Sequence, residues 1–118
     1  MTTVDLNCDC GESFGPWRMG ADVELFAHVT SANIACGFHA GDPMTMASTI
    51  LEAARQGVAI GAHPGLPDLV GFGRREMRVT PHEVYTMVLY QVAALGGMAS
   101  TYHGISQQAA YTRGQSLL

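Results

Sequence analysis

One loop sequence occurs twice in this chain, and that repeat constrains the fold more than any other feature. His39-Ala40-Gly41-Asp42-Pro43 and His63-Pro64-Gly65-Leu66-Pro67 both read H-x-G-x-P, and each follows a short run of small and apolar residues. The two histidines are 24 positions apart, about one strand–helix unit. A strand tip, a glycine turn and a proline repeated at that interval predict two neighbouring parallel strands. Both imidazoles then sit at the carboxyl ends of their strands. That edge is where α/β sheets and barrels bind ligands.

The residues around the repeat extend the pattern. In residues 3–10, TVDLNCDC, Val4, Leu6, Cys8 and Cys10 alternate with Asp5, Asn7 and Asp9, the period-two signature of a strand, and Gly11 ends it. Residues 21–28 predict a short helix, and residues 30–37, TSANIACG, a buried strand. Asp42-Pro43 is a helix start, an acidic N-cap followed by proline in the first turn. Met44, Ala47, Ile50, Leu51 and Ala54 recur at helical spacing, and Gly57 supplies the stop. Residues 58–62 predict a third strand, and residues 63–79 a long Pro/Gly loop. Thr80-Pro81-His82-Glu83 forms a capping box, with Val84, Val88, Val92 and Leu95 as one apolar stripe to about Gly96.

Strand–helix alternation implies parallel pairing. The fold class expected is α/β, three βα units forming the N-terminal part of a β/α barrel. A closed barrel needs about 250 residues, and this chain has 118. Residues 1–96 are expected to form the partial barrel domain, and residues 97–118 an irregular, divergent tail.

Composition narrows the function classes. Hydrophobic residues make up 47% and charged residues 14%, which excludes a disordered acidic tail. Six Lys+Arg against ten Asp+Glu, with no basic cluster, argue against nucleic-acid binding. No apolar run approaches the ~18 residues of a membrane span, and the N-terminus lacks a signal-peptide pattern. A soluble, cytoplasmic protein without membrane contact is expected. Three cysteines are too few for a disulfide framework, and Cys8, Cys10 and Cys36 are expected as small core residues.

Asp5, Asn7 and Asp9 share one face of the first strand. Polar residues inside a parallel sheet are costly unless they meet cations, donors or a ligand. Asp9 and Glu12 lie at the strand's carboxyl end, level with His39 and His63. Carboxylates and imidazoles converging there suit a divalent metal or a general acid/base site. The long loop carries Gly71-Phe72-Gly73-Arg74-Arg75. It is either a solvated loop or a lid whose Arg74 or Arg75 clamps a carboxylate or phosphate. It lacks the ending of a nucleotide-binding loop.

The runs VDLNCDCGESFGPW, SANIACGFHAGDP, IGAHPGLPDLVGFGRR and VLYQVAAL resemble the LamB/YcsF family, in order, over roughly residues 3–96. The resemblance implies a β/α barrel distantly like the polysaccharide deacetylases. It also implies ATP-dependent 5-oxoprolinase activity: ring opening of 5-oxoproline to L-glutamate, coupled to ATP hydrolysis and shared with subunits B and C. The candidate residues carried over are Asp9, Glu12, His39 and His63 for catalysis. Asp42 and Arg74 are carried over for substrate binding. Asp9, His39 and His63 are the expected ligands if a divalent metal is held, and ATP is expected to be handled with the partner subunits. A metal-dependent, deacetylase-like carbohydrate hydrolase is the alternative activity. Family members also carry a later Lys-Pro-His-Gly-Ala-Leu-Tyr motif, and this chain has no counterpart. The chain is therefore expected to be a truncated form, inactive alone.

Overall fold

Three short strands position everything else: β1 (Asn7–Cys10), β2 (Ser31–Ala35) and β3 (Ala59–His63). In the computed structural model, which describes residues 2–16 and 18–103, they form one parallel sheet in the order β1-β2-β3. Asn7 pairs with Ser31, Cys10 with Ile34 and Ala35 with His63, so the carboxyl ends lie side by side. Helices α1 (Asp22–Phe26), α2 (Pro43–Arg55) and α3 (Pro81–His103) follow the strands in turn. The alternation is that of the N-terminal part of a β/α barrel.

The sheet's two faces differ sharply. Cys10, Ala32, Ile34, Ile60 and Ala62 point to one side and join Met46, Ile50 and Ala53 of α2 and Val92, Leu95 and Ala99 of α3 in one core. Cys36 belongs to the same core, so two of the three thiols pack as the sequence predicts, and Cys8 is half-buried. Asn7, Asp9, Ser31, Asn33 and His63 point to the other side. There Asn7, Asp9, Ser31 and Asn33 hydrogen-bond to one another across the strands. Asn33 Nδ2 donates to Asn7 Oδ1 at 2.7 Å and to Asp9 Oδ1 at 3.2 Å. Ser31 Oγ donates to Asp5 Oδ1 at 2.8 Å. The polar face anticipated from β1 is thus a cross-strand ladder. Asp5 itself is exposed and precedes the strand, which begins only at Asn7.

The helix starts follow their caps. Thr45 N donates to Asp42 Oδ1 at 2.8 Å, and Gly15 N donates to Asp42 Oδ2 at 2.7 Å. Asp42 therefore caps α2 and ties down the loop after β1. The α3 capping box is reciprocal: Glu83 N donates to Thr80 Oγ1 at 3.1 Å and Thr80 N to Glu83 Oε1 at 3.0 Å. One boundary differs from expectation. Helix α3 does not stop near Gly96 but runs to His103. Glycine costs about 1 kcal/mol in a helix interior. Leu95 and Ala99, one turn apart and both fully buried, carry the helix across. Residues 97–103 of the expected tail are thus helical, and the rest of that tail lies outside the described residues.

Replacing Asp42 by Ala removes the cap and the tether together. A loss of about 1–2 kcal/mol is expected, read as a drop of several degrees in thermal melting. The cap and tether hold the Asp42 carboxyl below its ordinary value of 3.8. Its contribution is therefore fully present above that value and is lost as the pH falls through the lower, folded-state value. The gap between the wild type and Asp42→Ala should narrow in acid.

Candidate functional site

The carboxyl edge of the sheet is assembled by close backbone approaches. Gly11 follows β1 at φ 66°, and its N–H donates to Asp22 Oδ2 at 2.9 Å. Gly41 follows the first H-x-G-x-P histidine at φ 78°, and a Cβ there would stand 2.6 Å from Gly11 O. Gly41 N donates to Glu12 O at 3.3 Å. These contacts bring the loop carrying Glu12 against the loop carrying His39. His63 arrives as the last residue of β3.

The three side chains meet. Glu12, His39 and His63 each offer one ligand atom, and those atoms lie within 4.8 Å of one another. The imidazole rings are 4.6 Å apart between centroids. Phe72 stands edge-on to His39 at 5.0 Å. Its φ of 57° is in the left-handed region, which costs a bulky residue roughly 1–2 kcal/mol. His39 is 3% exposed, and both its ring nitrogens, like His63 Nδ1, have no hydrogen-bond partner among the described residues.

Electrostatics follow from that burial. Desolvation, with His63 adding to it, pushes the His39 imidazole down to about 4, so it is neutral near pH 7. Burial raises the Glu12 carboxyl above its usual range, and Asp9 and Asp22 push it the same way. Neutral imidazoles are the ligand form for a metal. Two imidazoles and one carboxylate make a donor set known for divalent zinc. The unpaired, buried nitrogens converging with Glu12 fit such an ion.

The other expected residues fall around this cluster. Asp9 lies next to it: its Oδ1 is 3.7 Å from His63 Nδ1, and its side chain is half-exposed. Among the described residues the metal-competent group thus contains Glu12 in the place expected for Asp9. Asp42 is not among these atoms, because both its oxygens accept backbone N–H groups. Arg74 is exposed, with its guanidinium 5.4 Å from the Phe72 ring centroid. Arg75 turns away and pairs with the buried Asp68. A cleft of about 300 Å³ opens beside the cluster, lined by Glu12, Phe14, His39, Leu69, Val70 and Phe72. Sequence reasoning missed the Asp68–Arg75 pair, which braces the long loop, and the fully buried Gln91. A polar residue on an apolar stripe was the available signal for Gln91.

The LamB/YcsF family model matches residues 4–109. The A subunit of 5-oxoprolinase from Bordetella pertussis is 62% identical over 98 residues, covering 83% of this chain and 39% of that protein. Its counterpart in Bacillus licheniformis is 59% identical over 108 residues, covering 92% and 42%. The crystal structure of a lactam utilization protein from Thermus thermophilus superposes with a TM-score of 0.82 at 54% identity, covering 85% of this chain and 40% of that one. The chain belongs to the LamB/YcsF family. It spans about two fifths of the length of these relatives. No helix among the described residues is long and apolar enough to cross a membrane.

The His39 burial has a measurable consequence. In the metal-free chain the unfolded state takes up a proton near 6.5 that folded His39 refuses until about 4. Stability is therefore fully present above 6.5 and declines as the pH falls through that window. Urea unfolding should show the midpoint falling across it, and His39→Gln should flatten that part of the curve.

Proposed function

We propose that this chain supplies part of the catalytic edge of a hydrolase that opens 5-oxoproline to L-glutamate. The reaction is coupled to ATP hydrolysis and carried out with partner subunits B and C. The convergence of Glu12 with two imidazoles whose nitrogens are unpaired carries the reading. The relatives are named for 5-oxoprolinase and for lactam utilization, and those names support the cyclic amide as the substrate class.

The ring amide of 5-oxoproline is a poor electrophile; Glu12, His39 and His63 would hold a divalent ion, which would supply Lewis-acid chemistry. The chain's own groups do the rest. Asp9, half-exposed beside His63, accepts a proton from the attacking water and returns it to the ring nitrogen as the C–N bond breaks. Arg74, over the Phe72 face, holds the substrate carboxylate. Asp42 contributes at one remove, by fixing the first turn of α2 and the Gly15 loop at the rim. The apolar side chains of Phe14, Leu69, Val70 and Phe72 line the cleft and accept the ring methylenes. ATP activation is assigned in this reading to the assembled subunits. ATP as cosubstrate goes with a cytoplasmic setting.

The test uses a full-length family member assembled with its partners. His39→Ala at the matching position abolishes glutamate formation from 5-oxoproline. Asp9→Asn lowers kcat by about 100-fold, with a smaller effect on KM. Enzyme stripped of tightly held metal and assayed with Mg²⁺ and ATP does not turn over, and adding zinc restores it. Undiminished glutamate formation by the His39→Ala enzyme contradicts the proposal. So does acetate release from an acetylated sugar with no turnover of 5-oxoproline.

A further inference from the structure

Gln91 interrupts the apolar stripe of α3. Val88, Val92 and Leu95 on that stripe pack into or against the core, yet between them stands a fully buried amide. Burying an unbonded amide costs roughly 1–3 kcal/mol, and here the oxygen and both N–H groups are bonded. Gln91 Oε1 accepts from Gly65 N at 2.9 Å. Gln91 Nε2 donates to Gly65 O at 2.9 Å and to Met87 O at 3.0 Å. Two of the three bonds grip a single residue in the loop after β3. A leucine would fill the stripe without needing partners, so packing alone does not account for this side chain.

What Gln91 grips lies against the site. A Cβ built on Gly65 would overlap His39 Nδ1 and stand 2.6 Å from His39 Cγ. Gly65 does not take the left-handed backbone, so its need for glycine is purely one of space. Gly73 closes on the same side chain, where a Cβ would stand 2.8 Å from His39 Cβ. The His39 ring is thus wedged between loop backbones, and α3 holds one of the wedges.

We propose that Gln91 is a positioning residue for His39: by clamping Gly65 it sets the imidazole against Glu12 and His63, so α3 is part of the metal-binding device. The inference rests on the reading of Glu12, His39 and His63 as a divalent-ion site, and the test separates the two. In the full 118-residue chain, Zn²⁺ affinity is measured by competition with a chromophoric chelator. The His39 ring carbon–proton signal is followed by NMR without metal. Gln91→Met should weaken Zn²⁺ binding about 10- to 100-fold and shift the His39 signal. Val92→Ala, a core truncation next to it, should lower the melting temperature but leave both readouts at wild-type values. Gly65→Ala leaves the clamp in place and puts a methyl group in the ring's space, so it should reproduce both changes. It also decides the matter if Gln91→Met does not fold. A folded Gln91→Met or Gly65→Ala chain with wild-type affinity and an unmoved His39 signal overturns the proposal, as does an equal loss in Val92→Ala. If the wild type binds no Zn²⁺, the ion reading fails. The metal-free NMR shift in Gln91→Met then decides the clamp alone: a shift supports it and its absence overturns it.

Discussion

An imidazole removed from water with both nitrogens unbonded is the constraint around which the carboxyl edge is organised. His39 is 3% exposed, and neither ring nitrogen has a partner among the described residues. Leaving buried polar atoms unsatisfied costs about 1–3 kcal/mol, and native structures retain such groups where they serve a purpose. Ring contacts offset part of the cost. His63 at 4.6 Å and Phe72 edge-on at 5.0 Å each add roughly 0.5–1.5 kcal/mol of aromatic pairing. None of them supplies a hydrogen bond or a coordinate bond. Glu12 offers a ligand atom within 4.8 Å of both rings.

Holding that ring in place draws on every layer of the fold. The parallel register puts His63 at the end of β3, level with the loop that leaves β2. Gly41 and Gly11 let two loops touch backbone to backbone, which no larger residue at position 41 would allow. The Asp42 carboxylate fixes where α2 begins and where the Gly15 loop lies. Phe72 accepts a left-handed backbone to aim its ring, and the Asp68–Arg75 pair braces the loop that carries it. The side of the sheet facing α2 and α3 supplies the hydrophobic core that supports these local costs. The opposite side joins Asn7, Asp9, Ser31 and Asn33 across the strands and leaves His63 to the rim.

Much of this was legible in the amino-acid sequence because parallel strands leave few choices. Two H-x-G-x-P loops one unit apart put His39 and His63 at one edge, and caps such as Asp42-Pro43 and Thr80–Glu83 announced α2 and α3. Period-two alternation named the polar face of β1 but not its partners, since Ser31 and Asn33 lie more than twenty positions away. Whether Asp9 or Glu12 completes the cluster turned on the path of the chain after Gly11, set by Asp22 and Gly41 and by nothing local. The continuation of α3 past Gly97 was hidden for the same reason: burial of Ala99 outweighed a poor helix former. Gln91 looked like an interruption in a stripe until Gly65 was seen beneath its amide.

The relatives are more than twice as long, and this chain already carries three converging donors at one rim. X-ray absorption on the cobalt-loaded chain addresses that convergence most directly. Two imidazole nitrogens and one carboxylate oxygen are expected around the ion, at about 2.0–2.2 Å, with the imidazole scattering lost in a His39→Ala, His63→Ala double variant. A shell of water and carboxylate oxygens alone, or imidazole scattering that survives in the double variant, would contradict it.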